Sequence, residues 1–445
     1  MQPVEPHPIR IAVEDDLHRN RLTIFLRLIL AIPHFIWITL WSIIMVVVAI
    51  INWFAVLVTG GLPDGLHNLT AAYVRYTTHL NAYLYLAANP YPGFLGEAGS
   101  YPIDPQIDGP ERQSRWKAAF RIFLAIPALL LMTTLIGFGA GGGGGGGGGG
   151  SGTSAEADYG AEAAWAVGGT ASAVFVAAIL GWFACLALGR MPLGFRDLAA
   201  YGLRYAAQTY GYVLLLTDRY PDSDPRDPSA TQPTPVKPVG LRVEDDLRRS
   251  RLTVFFRLLL TIPHFIWLVL WGIVVFLALI VAWFATLVTG RLPDAFHRFF
   301  SAYLRYEIHV FAFLLLVANP FPGFTGVAGS YPVDVEIGPR EAQNRWKTLF
   351  RIFLAMPVAL LNSALAGPLY VAAFLGWFVG LALGRMPEGL RNLGAYVLRY
   401  AAQFYAYLYL LTDSYPYSGP TEYVEREVEL EPVPTWPDAP PEPSF

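Results

Sequence analysis

From Leu28 to Thr59 the chain carries no charged residue, and the run continues a helix-compatible stretch that begins near Leu22. One helix over these ~38 residues would be about 57 Å long, against a bilayer hydrocarbon core of about 30 Å. Runs without any Lys or Arg recur at 122–189, 258–290 and 352–384. Charged residues make up only 15% of the 445 and hydrophobic ones 54%, where a soluble domain has roughly 25% charged. The 12 Trp, 24 Tyr and 28 Phe suit membrane interfaces. The net charge of −3 gives no bulk basicity for nucleic acid, and the single Cys185 excludes a disulfide framework and a multi-cysteine metal site.

The chain is internally repeated. EDDLHRNRLTIFLRLILAIPHFIW from Glu14 returns as EDDLRRSRLTVFFRLLLTIPHFIW from Glu244, an offset of 230 that falls to 195 between Trp182 and Trp377. The first half therefore holds 35 extra residues, coincident with the glycine run Gly141–Gly150. A fainter repeat inside each half predicts four units, 8–100, 101–220, 239–330 and 331–420. They form two membrane halves, 8–220 and 239–420, joined by a Pro-rich linker (221–238) and followed by a disordered acidic tail (421–445).

Two short crossings per unit fit these runs better than one long helix. Unit two inserts its glycine run with Glu156, Asp158 and Glu162, and unit four places Asn362-Ser363 and Gly367-Pro368 at the same point. Unpaired acids cannot sit in lipid at mid-bilayer. By correspondence Trp41-Ser42 and Trp271-Gly272 mark turns, so each unit is expected to be a transmembrane helical hairpin. A third helix follows, such as 65–88 or 390–411, with Asn68, Arg75 and His79, or Asn392, Arg399 and Gln403, on one face. It is expected to lie in the interface as an amphipathic helix, crossing being the alternative. The expected fold is all-α and polytopic, with about eight crossings and short cytosolic strands where Ile9, Ile11 and Val13, or Val333, Val335 and Ile337, alternate. With two crossings per unit all 31 Lys and Arg fall on the side of the termini, which places both termini in the cytoplasm. A polar, mixed-charge stretch precedes the first apolar run, so no cleavable signal peptide is expected.

Phe256-Arg257-Leu258, Ile262-Pro263-His264, Trp283-Phe284, Thr289-Gly290-Arg291 and Pro293, with an L-R-Y helix ending in an acid before Y-P, form a recurring signature. In it the chain resembles a bacterial membrane family catalogued as domain of unknown function family 4389, in tandem over nearly all of 8–420. The resemblance implies a bacterial cytoplasmic (inner) membrane and brings no activity. The even units depart from the pattern, with Ala128 and Val358 where the odd units have His.

Two arginine rows are candidate lipid- or anion-binding groups. Arg27, Arg121, Arg257 and Arg351 stand just inside the first helix of each unit, where snorkelling beside Asp15, Asp16, Asp245 and Asp246 is the plainer reading. Arg75, Arg204, Arg305 and Arg399 lie on the third helices, either meeting headgroups or solvating a polar face. His34, His264 and Asn52 are intramembrane polar candidates, and for each His a bond to a carbonyl freed by Pro33 or Pro263 is the competing reading. Gly376, Gly380 and Gly384, and Ala177, Gly181, Cys185 and Gly189, are small-residue seams suited to close helix packing within the chain or to dimerisation. No metal site, cofactor motif or enzyme signature is found. The expected role is a non-enzymatic scaffold or lipid-contacting component, with membrane lipids and membrane proteins as partners and no nucleic acid. The alternative is a transporter for a lipid-like or amphipathic substrate.

Overall fold

The structure is a computed structural model that describes residues 6–137, 172–226 and 235–420. The glycine run Gly141–Gly150, part of the linker and the acidic tail lie outside the described residues. The first half comprises β1 (Ile9–Val13), α1 (Arg21–Leu30), α2 (Ile32–Thr59), α3 (Asp64–Leu84), β2 (Ile103–Ile107), α4 (Arg115–Ala119), α5 (Arg121–Leu135), α6 (Ala173–Leu188) and α7 (Leu193–Val213). The second comprises β3 (Val239–Val243), α8 (Arg251–Thr289), α9 (Asp294–Leu314), β4 (Val333–Ile337), α10 (Arg345–Leu349), α11 (Arg351–Leu383) and α12 (Glu388–Leu408).

The hairpins expected at Trp41-Ser42 and Trp271-Gly272 do not form. Both sites are interior to continuous helices, α2 and the 39-residue α8, and Gly367-Pro368 is interior to the 33-residue α11. The small residues there make room for the third helix instead of turning the chain. Ser42 Oγ meets Tyr73 Oη at 2.9 Å, and a Cβ on Gly272 would stand 3.0 Å from the Tyr303 hydroxyl. Gly367 and Pro368 are buried in packing. Pro33 opens α2 after a single-residue break at Ala31, whereas Pro263 is absorbed within α8. Among the described residues α2, α8 and α11 are long and apolar enough to cross a membrane, and α5 and α6 are shorter apolar helices.

The alternating segments do form strands. β1 pairs antiparallel with β2, Ile11 facing Pro105, and β3 pairs with β4, Leu241 facing Val335. Each half is layered. α3 packs on α2 by one side and on β2 by the other, as α9 does on α8 and β4. The third helices are therefore buried within the chain over most of their length. Tyr76, Leu80, Tyr306 and Val310 are all fully enclosed. Their polar faces meet the strands, which sequence periodicity alone cannot distinguish from a face meeting headgroups.

The small-residue seams pack within the chain. Gly181 and Gly376 lie against Met191 and Met386, and Gly380 faces Val254 at the start of α8. In each half the end of one long helix meets the start of the other: Trp53 donates to Ala118 O and Trp182 to Ile24 O, as Trp283 does to Thr348 O and Trp377 to Val254 O.

Candidate functional site

The most repeated feature is built at the C-terminal end of each third helix. These helices end in a leucine held in the left-handed region, Leu86, Leu215, Leu316 and Leu410, with φ of 62–65°. Such a backbone costs a non-glycine residue on the order of 1 kcal/mol. Burial of each side chain offsets it; Leu86, for instance, packs with Ile24, Cys185 and Met191. The bend leaves helix carbonyls pointing inward without partners, at the negative end of the helix dipole.

A buried guanidinium takes those carbonyls. Arg27 donates to Tyr83 O and Ala88 O, and to Asn89 Oδ1 at 3.3 Å. Arg257 repeats this with Phe313 O, Ala318 O and Asn319. Arg351 binds Tyr407 O, Thr412 O, Gln343 Oε1 and Asp413 Oδ1, the last at 2.7 Å. Arg121 binds Thr217 O, Gln113 and Asp218. Each also sits over an aromatic ring at 4.1–4.4 Å: Tyr83, Tyr212, Phe313 or Tyr407. The expected pairing with carboxylates thus holds for Arg121 and Arg351, though with Asp218 and Asp413. Asp15 and Asp245 pair with Arg19 and Arg249 instead, both at 2.8 Å.

Arg19 and Arg249 escaped the sequence reading. Each donates to two further carbonyls of the same corner, Leu86 and Ala87 O or Leu316 and Val317 O. The D-x-x-x-R spacing was the available signal, since i,i+4 places acid and base together. In the other two units Gln113 and Gln343 donate to Leu215 O and Leu410 O.

The second arginine row is likewise engaged inside the chain. Arg75 and Arg305 donate from Nε to Pro105 O and Val335 O on the strands, at 3.3 and 3.1 Å. Arg204 reaches Asp224 O and Arg226 O, and Arg399 reaches Gly419 O and Tyr417 O. Replacing Arg399 by Gln is expected to lose about 1–3 kcal/mol of stability. Thermal unfolding in detergent should show that loss while copurifying lipid stays unchanged.

One turn beyond Arg75 and Arg305, buried His79 and His309 bond Asp104 and Asp334 at 2.6 and 2.8 Å. Their rings stack on Tyr101 and Tyr331. These pairs lock β2 and β4 to their helices. His34 and His264 do not use a proline-freed carbonyl; Nδ1 of each meets the hydroxyl of Tyr76 or Tyr306, at 2.9 and 2.8 Å. Each ring stacks on Phe94 or Phe324, from the loop after the third helix. That loop lies so close that a Cβ on Gly96 or Gly326 would strike the Ala72 or Ala302 carbonyl. Asn52 ties α2 to Thr70 and to Leu214 O, at 3.0 and 3.1 Å. Among the described residues no three His, Cys, Asp or Glu side chains are grouped to hold a metal ion.

Buried arginine corners, histidine–tyrosine joints and bare apolar helices together define a helical protein of tandem, internally braced units. The family model described as Domain of unknown function (DUF4389) matches residues 21–96, 251–325 and 345–418, about half of the chain, and the chain belongs to that family. No curated protein and no solved structure matches the chain.

Proposed function

We propose that the chain is a non-enzymatic membrane scaffold that contacts lipid along its long helices and presents its strand face to other components of a membrane assembly. The observation that carries this reading is where the polar groups go. Both arginine rows, His34, His264 and Asn52 serve separate joints between elements of the chain, whereas the outer faces of α2 and α8 are large hydrophobics open to the surroundings. Polar groups spent at separate joints do not converge on a substrate path, which favours a scaffold over a transporter.

The reading includes 101–220 as a fourth unit. Arg121 meets Tyr212, Thr217 and Asp218 in the order in which Arg351 meets Tyr407, Thr412 and Asp413, with the 35-residue insertion between. It also places the protein at a bacterial cytoplasmic membrane with both termini in the cytoplasm. Purified protein mixed with liposomes should float with them and remain bound through an alkaline carbonate wash. Recovery in the soluble fraction would overturn the membrane reading, and solute flux through proteoliposomes the scaffold reading.

A further inference from the structure

We infer that the long apolar helices lie along one leaflet, parallel to the membrane plane, so that the protein is embedded from one side and does not cross. The inference rests on the membrane reading above and names how the membrane is met. Three observations lead to it.

Exposure is uniform along α1 and α2 taken together: Leu28 in α1 is 71% exposed, Ile43 in the middle of α2 63% and Val58 at its end 71%. A continuous apolar stripe therefore runs their whole length, opposite the narrow buried row of Arg27, His34, Ile38, Met45, Asn52 and Val56.

Charges stand on the sheet that covers the other side of α3. α3 runs back beneath α2: Asp64 follows the end of α2 by a short turn, Tyr73 meets Ser42 and Tyr83 meets Arg27. The β1–β2 sheet covers the middle of α3, through Arg75 on Pro105 and His79 on Asp104. Outside it lies the solvent-facing pair Arg10–Asp108, with side chains 33% and 51% exposed. The second half has glycines, Gly240 and Gly338, at the corresponding positions, and its sheet carries Arg242 and Glu244 instead, with side chains 43% and 65% exposed. If the long helices crossed upright, the sheet held to the middle of α3 at Arg75 and His79 would stand at hydrocarbon depth, where a charge costs up to about 2.5–3.5 kcal/mol. In-plane helices put the sheet in water.

Basic residues bracket the helices at both ends. Arg21 donates to Ala187 O at one end of the first pair and Arg115 to Val58 O at the other; Arg251 and Arg345 do the same in the second half. Continuous crossing helices would divide these arginines between the two sides of the membrane. Lying in plane they all face one headgroup layer, the cationic bias expected of an anionic leaflet.

The test is a double variant, Asp16→Cys with Arg112→Cys, both exposed and at opposite ends of the first long helix. It is reconstituted in sealed vesicles of phosphatidylcholine and phosphatidylglycerol and treated with a membrane-impermeant maleimide; buried Cys185 is checked for silence in the unmodified protein. The expected products carry two labels or none, whatever the mixture of orientations. A singly labelled product throughout would mean crossing and overturn the inference. In parallel, a fluorophore at Ile29→Cys, Ile43→Cys or Val58→Cys should be quenched by spin-labelled lipids at one common depth. A probe at position 43 clearly deeper than the other two would overturn the inference as well. Failure of the vesicles to carry the protein in flotation is a separate result that removes the membrane reading itself.

Discussion

Replacing Arg351 by Ala is expected to cost about 3–5 kcal/mol, the range seen when one partner of a buried charged network is removed. Its guanidinium serves Tyr407 O, Thr412 O, Gln343 and Asp413 at once. Truncation would leave the Tyr407 and Thr412 carbonyls without this donor, while Asp413 would keep Lys347 and the Asn344 N–H. Arg351→Lys should recover only part of the loss, because one ammonium cannot reproduce a planar fork over the Tyr407 ring. Arg385→Ala, at an exposed position of the turn after the far end of α11, should stay within about 0.5 kcal/mol. Unfolding in detergent compares the three. An Arg351→Ala variant as stable as Arg385→Ala would show that the corner relaxes freely and that these arginines are not its braces.

Glu307→Gln is expected to stabilise the protein at pH 8 and to change little at pH 4. Glu307 lies where α9 crosses α12, with Tyr303, Tyr405 and Tyr409 around it, and its nearest polar partner is the Tyr409 hydroxyl at 3.4 Å. Its neighbour His309 is engaged with Asp334. Burial pushes the carboxyl from 4.5 up to about 7, against the smaller opposite effect of the Tyr409 bond. Below pH 4.5 both folded and unfolded chains hold the proton. Between 4.5 and about 7 the unfolded chain releases it first, so stability falls as pH rises and levels off above about 7. At ~1.4 kcal/mol per pH unit the full effect is about 3 kcal/mol. The amide has no proton to lose, so its advantage should grow across that window and then stay constant. An equal shift at pH 4 and pH 8 would assign the effect to packing instead. The corresponding residues are Thr77, Ala206 and Ala401, so the response belongs to this crossing alone.

Repetition was readable because every copy preserves the same arginine, Trp-Phe and Arg-Tyr positions. Strand alternation in Ile9–Val13 and Val333–Ile337 was readable because Ile9 and Ile11, and Val333 and Val335, are apolar residues buried at alternate positions. The amphipathic third helices were readable as helices but not as a middle layer. A polar face that meets a strand has the same period as one that meets headgroups, and Arg75, His79, Arg305 and His309 find their partners about 25–30 residues away. The hairpins failed because the residues read as turns lie inside continuous helices. Ser42 and Gly272 looked like turn residues because their true cause, a tyrosine hydroxyl from α3 or α9, lies about 31 residues downstream. Among the site residues, Arg27 and its counterparts were found by position, whereas their targets, carbonyls exposed by a left-handed leucine, carry no sequence mark.

The orientation of the long helices decides the account, and polarised infrared spectroscopy of the unmodified protein in aligned anionic bilayers measures it without any substitution. Helices lying in plane would give an amide I dichroism for a mean helix axis near the membrane plane. A mean axis close to the membrane normal would contradict the account and return the chain to the class of crossing proteins.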